Sequence, residues 1–103
     1  MHGNTNSFSL SLFIPFDHPS LEGHFPGNPI VPGVVILDQM IRLWQKHTGK
    51  KVLTINHAKF VQILRADIAC SIHYLEKETK KVTFLIQDRA QNIISKGQFY
   101  YDS

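Results

Sequence analysis

The sequence predicts an α+β fold in which an antiparallel β-sheet wraps around one long central helix. Its 103 residues are enough for a single domain, residues 1–103, with a hydrophobic core. One broad apolar helical stretch follows a segment rich in turn residues, and four β-rich segments come after it. Short polar connections between these segments favour antiparallel neighbours. With 43% hydrophobic and 18% charged residues, the chain belongs with globular rather than disordered proteins.

The N-terminal part of the chain predicts one strand. Residues 1–6 are polar and are expected to be a loose terminus. Beyond them, apolar and mostly polar residues alternate with the period of a half-buried strand, which Pro15 ends. The apolar positions of this strand are Phe8, Leu10, Leu12 and Ile14.

The central helix is predicted from Pro32 to His47, after the turn-rich residues 17–33. Proline is compatible with a first helical turn because its missing N–H has no partner there, and Gly49 supplies a stop. The apolar positions cover more than one stripe, so we expect a curved sheet to surround the helix. They are Val34, Ile36, Leu37, Met40, Ile41, Leu43 and Trp44.

The remaining sheet is predicted as strands at 52–64, 68–75, 81–87 and 93–101. In the last three strands, every second residue is apolar or small, which assigns those residues to one face. The predicted faces are Ile68, Cys70, Ile72 and Tyr74; Val82, Phe84 and Ile86; and Gly97, Phe99 and Tyr101.

Two titratable residues stand on either side of the turns and the helix start. His24 precedes the turns and changes charge near neutral pH, which suits a base, although for a histidine taken alone a hydrogen-bonded structural role is commoner than a catalytic one. Asp38 lies in the second helical turn among apolar residues, and burial there would favour the protonated acid. Alternatively, Asp38 begins a polar helix face and pairs with Arg42 four residues later. Both alternatives remain open at this point.

The helix start itself is a candidate anion site. The first N–H groups of a helix have no intrahelical acceptor and lie at the positive end of the helix dipole. Pro32 and Gly33 open the helix here. The free N–H groups of this first turn suit the negative charge that develops on an oxygen atom during a reaction.

A longer motif joins these features. It begins His24-Phe-Pro-Gly-Asn-Pro-Ile-Val-Pro-Gly33 and reaches Asp38, fourteen residues after the histidine. The motif resembles that of the β-hydroxyacyl-acyl carrier protein dehydratases of fatty acid synthesis, in which a histidine precedes Phe-x-Gly-x-Pro-x-x-Pro-Gly and a helix acid. The similarity is dense from about His18 to Met40, and Lys59-Phe60 resembles the Lys-Phe of the family's next long strand.

The resemblance implies the hot-dog fold and a paired assembly. In this family two domains join their sheets, and each active site uses the histidine of one subunit and the helix acid of the other. The resemblance therefore implies a homodimer or higher homo-oligomer, with His24 and Asp38 of different chains in one site. The expected substrate carrier is acyl carrier protein or coenzyme A.

The implied reaction is elimination of water from a 3-hydroxyacyl thioester to give a trans-2-enoyl thioester. His24 would take the α-proton, the N–H of Gly33 and of Val34 would hold the thioester oxygen, and Asp38 would protonate or orient the departing water. An apolar tunnel beside the helix would hold the acyl chain, and no metal or cofactor is required. Its expected walls are Phe25, Phe60 and Leu64.

Three departures from the family pattern bear on this interpretation. The helix acid is Asp38 rather than glutamate, as in the branch that also isomerises trans-2 to cis-3 double bonds. Residues 63–67 lack the prolines expected after Lys-Phe. The short N-terminus is similar to that of the small dehydratases of aryl polyene and related polyketide-like pathways. A hot-dog acyl-thioesterase and a non-catalytic hot-dog binding domain remain alternatives.

Charge and cysteine content limit the other partners. The net charge of +3 is compatible with an acidic carrier protein, and no basic block interleaved with aromatic residues indicates a nucleic-acid surface.

Cys70 is the sole cysteine, which excludes an intrachain disulfide and favours a buried small hydrophobe. With no signal-peptide pattern and no apolar run near ~20 residues, a cytoplasmic protein without a membrane span is expected. The spacing of His18, Glu22 and His24 fits no common metal site.

Overall fold

The computed structural model describes residues 6–21 and 30–102. Its element order is the predicted one: a strand, a helix and four further strands. The elements are β1 (Asn6–Leu12), a short 3-10 turn (Pro19–Leu21), α1 (Gly33–Thr48), β2 (Lys51–Phe60), β3 (Cys70–Glu78), β4 (Lys81–Asp88) and β5 (Ile93–Asp102). Asn6, expected in the loose terminus, opens β1.

The five strands form one sheet in the order β1-β3-β4-β5-β2. Every pairing among them is antiparallel, as predicted from the short connections. The chain leaves α1 and enters the sheet at the edge opposite β1, so β2 pairs with β5 on one side only. This places the end of β2 and the start of α1 in the same region of the molecule.

The core lies between α1 and one face of this sheet. Trp44 of α1 is buried, with its ring centroid 5.0 Å from those of Phe99 and Tyr101. The predicted inward faces of β4 and β5 are confirmed, and that of β3 is confirmed apart from its first residue. Ile68 precedes β3 and is 43% exposed, because the strand begins only at Cys70.

The helix is held at its end and at its middle. Gly49 adopts φ 75° and donates its N–H to the carbonyl of Gln45 at 2.8 Å, which confirms the predicted stop. The buried hydroxyl of Tyr74 donates to the carbonyl of Met40 at 2.7 Å. The apolar surface of α1 is narrower than predicted, since Val34 is 74% exposed. Along the described residues, no helix combines the length and apolarity needed to cross a bilayer.

One predicted strand is shorter than expected. β2 ends at Phe60 rather than at residue 64, because the next two N–H groups both point to the carbonyl of Ile94, at 2.8 and 3.4 Å. The chain then turns away from β5 toward the segment before α1. There the N–H of Val31 donates to the carbonyl of Leu64 at 2.8 Å. Residues 61–69 therefore connect the sheet to the helix start.

Candidate active site

A cavity of about 500 Å³ lies where α1 begins and β2 ends. Gly33, Phe60 and Leu64 line it, together with the apolar side chains of Val31 and Ile36. Three residues that the sequence predicted for the oxyanion site and the tunnel walls are thus brought together. A predominantly apolar lining suits a hydrocarbon chain.

Backbone pairing between two distant segments forms this cavity. Besides the Val31–Leu64 hydrogen bond, Ile30 and Arg65 form an isolated antiparallel bridge. The segment that precedes the helix is thereby tied to the segment that follows β2. These contacts fix the mouth of the cavity relative to the first turn of α1.

The first two amides of α1 have no acceptor among residues 6–21 and 30–102. The carbonyl of Pro32 accepts hydrogen bonds from the N–H groups of Val35 at 3.0 Å and Ile36 at 3.2 Å. Among the described residues, nothing accepts from the N–H of Gly33 or Val34, and no side chain caps the helix. These two amides lie at the positive end of the helix dipole, where an oxygen with developing negative charge is stabilised.

Phe60 approaches the helix start closely. A Cβ atom placed on Gly33 would lie 2.7 Å from Cζ of Phe60 and 3.0 Å from both Cε atoms. Any side chain at position 33 would therefore collide with the ring. The ring is 46% exposed, so it also forms part of the surface of the cavity mouth.

Asp38 does not have the apolar surroundings that were expected. It is exposed, and one carboxylate oxygen accepts a hydrogen bond from Nε of Arg42 at 2.8 Å. Asp38 and Val34 share the helix face turned away from the sheet, whereas Ile36 and Met40 point into the core. The expected burial is wrong for a single chain, and the alternative pairing with Arg42 is confirmed.

His24 and Phe25 lie outside the described residues, and their roles stay predictions. Val34, predicted as a second oxyanion donor, contributes a backbone N–H at the helix start while its side chain points outward.

The sequence analysis predicted Leu64 as a tunnel wall but missed the irregular course of residues 61–67. It assigned Ile63 and Leu64 to a strand, whereas they line the cavity in an irregular segment. Asp67 ends this segment with φ 67°, and its Oδ1 accepts the N–H of Phe16 at 3.0 Å. The available signal was the polar break Arg65-Ala-Asp67, since aspartate tolerates a left-handed backbone better than most residues.

Two buried groups are kept in their neutral forms. Burial raises the pKa of the Cys70 thiol, and the nearby charge of Asp88 raises it further. A protonated, buried thiol agrees with the structural role predicted for Cys70. Burial also raises the pKa of Tyr74, so its hydroxyl remains a donor to the helix carbonyl.

Comparison with known families identifies the chain. The family model described as ApeI dehydratase matches residues 1–98. The chain belongs to the ApeI-like dehydratase family. The ApeI-like chain is also 40% identical over 58 residues to the 3-hydroxyacyl-(acyl-carrier-protein) dehydratase FabZ of Chloroflexus aggregans, a match that covers 48% of this chain and 40% of the relative. The FabZ of Brucella ovis is 40% identical over 57 residues, which cover 46% and 36%. The matches thus span about two fifths of these curated relatives.

Solved structures establish the fold of the ApeI-like chain. An uncharacterised protein from Erwinia carotovora subsp. atroseptica superposes with a TM-score of 0.80 at 23% identity, covering 99% of this chain and 87% of that protein. The dehydratase heterocomplex ApeI:P from Xenorhabdus doucetiae gives 0.77 at 18% identity and covers both chains fully. The fluoroacetyl-CoA thioesterase FlK gives 0.59 at 12% identity, covering 98% and 86%. The predicted hot-dog fold is thereby confirmed.

Proposed function

We propose that the ApeI-like protein removes water from a 3-hydroxyacyl thioester and forms the trans-2-enoyl thioester in fatty acid or polyketide-like synthesis. The observation that carries this proposal is the apolar cavity beside the first amides of α1, in a member of a dehydratase family. The cavity suits the acyl chain and the amides suit the thioester oxygen. The two ends of one substrate therefore have matching surroundings.

The reaction requires three chemical roles. His24 removes the α-proton, and the electron pair of that C–H bond forms the new double bond as the C–O bond to the hydroxyl breaks. The N–H groups of Gly33 and Val34 stabilise the thioester oxygen while it carries enolate-like charge. Asp38 supplies a proton to the departing hydroxyl, which leaves as water. A positioned acid or base is typically worth ~10²–10⁴ in rate, and one oxyanion donor ~10²–10³.

The acyl chain would run along Phe60 and Leu64, with Phe25 as a further wall. Phe60 is half-exposed and Leu64 is buried, so together they lead from the surface toward the core. No metal or cofactor enters the proposed reaction. The proposed reaction depends on general acid–base catalysis, on hydrogen bonds to the developing charge and on apolar contacts with the acyl chain.

The exposure of Asp38 favours a site completed by a second subunit. Around the start of α1 and the end of β2, several large apolar side chains are exposed, which is unusual for a surface that remains in water. They are Val34, Phe60, Val61 and Ile63. We propose that a second copy covers this surface and joins its sheet to β2. In this arrangement, His24 of the partner subunit would lie close to Asp38 of this chain.

The proposed substrate carrier is acyl carrier protein or coenzyme A. The chain has a net charge of +3, and both carriers are negatively charged near neutral pH. The proposed location is the cytoplasm, because a chain with one cysteine cannot form an intrachain disulfide and is compatible with a reducing compartment.

The proposal is tested by supplying the purified protein with 3-hydroxyacyl and saturated acyl thioesters. Enoyl absorbance and free thiol are followed in the same sample. Enoyl formation without thiol release is the expected result. Thiol release without enoyl formation would establish a thioesterase instead, and binding of both thioesters without turnover would establish a binding domain.

A further inference from the structure

The close contact between Phe60 and Gly33 explains why position 33 is a glycine. Gly33 has ordinary helical backbone, so a positive φ does not require it. Donation of a hydrogen bond does not require it either, because every residue except proline carries a backbone N–H. A Cβ atom at position 33 would lie 2.7 Å from Cζ of Phe60, so the ring could not keep its present position.

The backbone that carries Phe60 is anchored on both sides of the residue. The hydroxyl of Ser95 donates to the carbonyl of Lys59 at 3.0 Å, and the N–H of Val61 donates to the carbonyl of Ile94 at 2.8 Å. Phe60 itself lies opposite Ser95 of β5 in the antiparallel β2–β5 pair. Its ring extends from this fixed backbone to the helix start while remaining 46% exposed.

We propose that Phe60 is a positioning residue for the thioester. Its ring fills the space in front of Gly33 and forms a wall of the cavity, and this wall fixes where the reacting carbon atoms lie relative to the amides of α1. The glycine therefore leaves room for this ring position, which hydrogen bonding alone would not demand. This inference rests on the proposed function and adds a residue role that the acid, the base and the oxyanion donors do not cover.

An alanine at position 33 would act on the cavity more than on folding. Its methyl group must displace the ring, and the contacting atoms are at the far end of a half-exposed side chain that can rotate. The displaced ring moves the wall against which the substrate rests. Small misplacements of a reacting group reduce turnover strongly.

A double-mutant cycle tests this role. The variants are Gly33→Ala, Phe60→Leu and the double variant, with Phe13→Leu as the matched control because Phe13 is also exposed and lies outside this cavity. We expect Gly33→Ala to lower kcat by about tenfold with a nearly unchanged melting temperature. In the Phe60→Leu background the same alanine should change kcat by less than about twofold, since the cycle isolates the pairwise contact.

A second measurement separates this inference from the proposed reaction. Binding of a saturated acyl thioester, which has no hydroxyl to eliminate, is measured for the same four proteins and the wild type. If the wild type binds but never forms enoyl product, the proposed reaction fails, while the same coupling in binding affinity still supports the positioning role. If alanine at position 33 has equal effects in the wild-type and Phe60→Leu backgrounds, in turnover and in binding, the positioning role is wrong.

Discussion

At the scale of single residues, Asp38 combines a proposed catalytic role with an exposed position on the surface of the single chain. Within one chain its carboxylate lies in water and shares a hydrogen bond with Arg42. Exposed pairs of this kind contribute little stability, about 0.3–0.5 kcal/mol. Asp38 therefore contributes little to the stability of the single chain, whereas the proposed reaction requires an acid at this position.

We therefore predict different effects of substitutions at the two members of this pair. Asp38→Asn should lower kcat by ~10²–10⁴ because a proton donor is lost. Arg42→Ala should change the free energy of unfolding by less than about 0.5 kcal/mol. Steady-state turnover and urea denaturation measure the two effects. Full activity in Asp38→Asn would exclude the catalytic role.

The direction of the pKa shift of Asp88 predicts how its contribution to stability changes with pH. Hydrogen bonds from the side chain and the backbone of Asn92, at 3.1 and 2.9 Å, together with that from Ala90 at 2.9 Å, hold the pKa of Asp88 below its ordinary value. A carboxylate with a lowered folded-state pKa stabilises the protein above the ordinary carboxyl pKa. This contribution is lost as the pH falls through the lowered value.

The substitution Asp88→Ala should consequently be destabilising at neutral pH. The difference in free energy of unfolding between this variant and the wild type should shrink once the pH falls below 3.8, the ordinary carboxyl pKa. Asp88→Asn is the matched control, because it keeps an acceptor oxygen but does not titrate. Urea denaturation across the acidic range measures this, and a difference that is constant with pH would contradict it.

At the scale of elements, the β2–β5 pairing depends on Gly97. A Cβ at this position would overlap the carbonyl oxygen of His57 and would lie 2.9 Å from Cα of Ala58. The pairing is irregular just there, with a register shift between Ile55 and His57. Because the obstructing atoms are backbone, they cannot rotate away as a side chain can.

Gly97→Ala should therefore lower the free energy of unfolding by about 2–3 kcal/mol, as expected for overpacking against a fixed neighbour. Lys96→Ala, at an exposed position of the same strand, should be nearly neutral. Chemical denaturation of both variants measures the difference. A loss below about 1 kcal/mol in Gly97→Ala would show that β2 can move aside.

The attachment of α1 to the sheet depends in part on Tyr74. Its hydroxyl donates to the helix carbonyl of Met40 in the core. Tyr74→Phe removes this donor, and we expect a loss of about 1 kcal/mol in the free energy of unfolding. Tyr100→Phe, at a partly exposed position of β5, is the control. Equal stability of the Tyr74→Phe variant and the wild type in urea would contradict a contribution from this hydrogen bond.

At the scale of the whole molecule, the proposed active site needs two chains. The exposed apolar surface beside β2 and the outward position of Asp38 both favour a partner there. A symmetric dimer would contain two such sites, each with a histidine from one subunit and an acid from the other.

Complementation tests this arrangement. Inactive His24→Ala and Asp38→Asn proteins, mixed and allowed to exchange subunits, should regain about a quarter of the wild-type activity, because half of the dimers are mixed and each has one intact site. Mixing His24→Ala with the double variant should restore nothing. Sedimentation confirms that dimers form. Mixed dimers without activity would contradict the shared site.

Several features of the fold and the site could be predicted from local sequence. Alternation of apolar residues gave the faces of β4 and β5, and Gly49 marked the end of α1. The end of β2 could not be predicted, because the sequence from Val61 onward continues the β-rich pattern. The strand ends there because the N–H groups of Val61 and Gln62 both point to the carbonyl of Ile94, a contact with a distant residue. For Asp38 the sequence offered two alternatives, burial or pairing with Arg42, and could not decide between them, because apolar neighbours along a helix can lie on a different face.

By itself, the sequence determined the order of the elements, the inward faces of the strands and the family to which the chain belongs. These depend on periodicity, turn residues and motif spacing, all of which are local along the chain. Only the tertiary structure decided that residues 61–69 leave the sheet to meet the helix start, that Asp38 faces water, and that the ring of Phe60 lies against Gly33. Each of these depends on which distant segments come into contact, and no local pattern records such contacts.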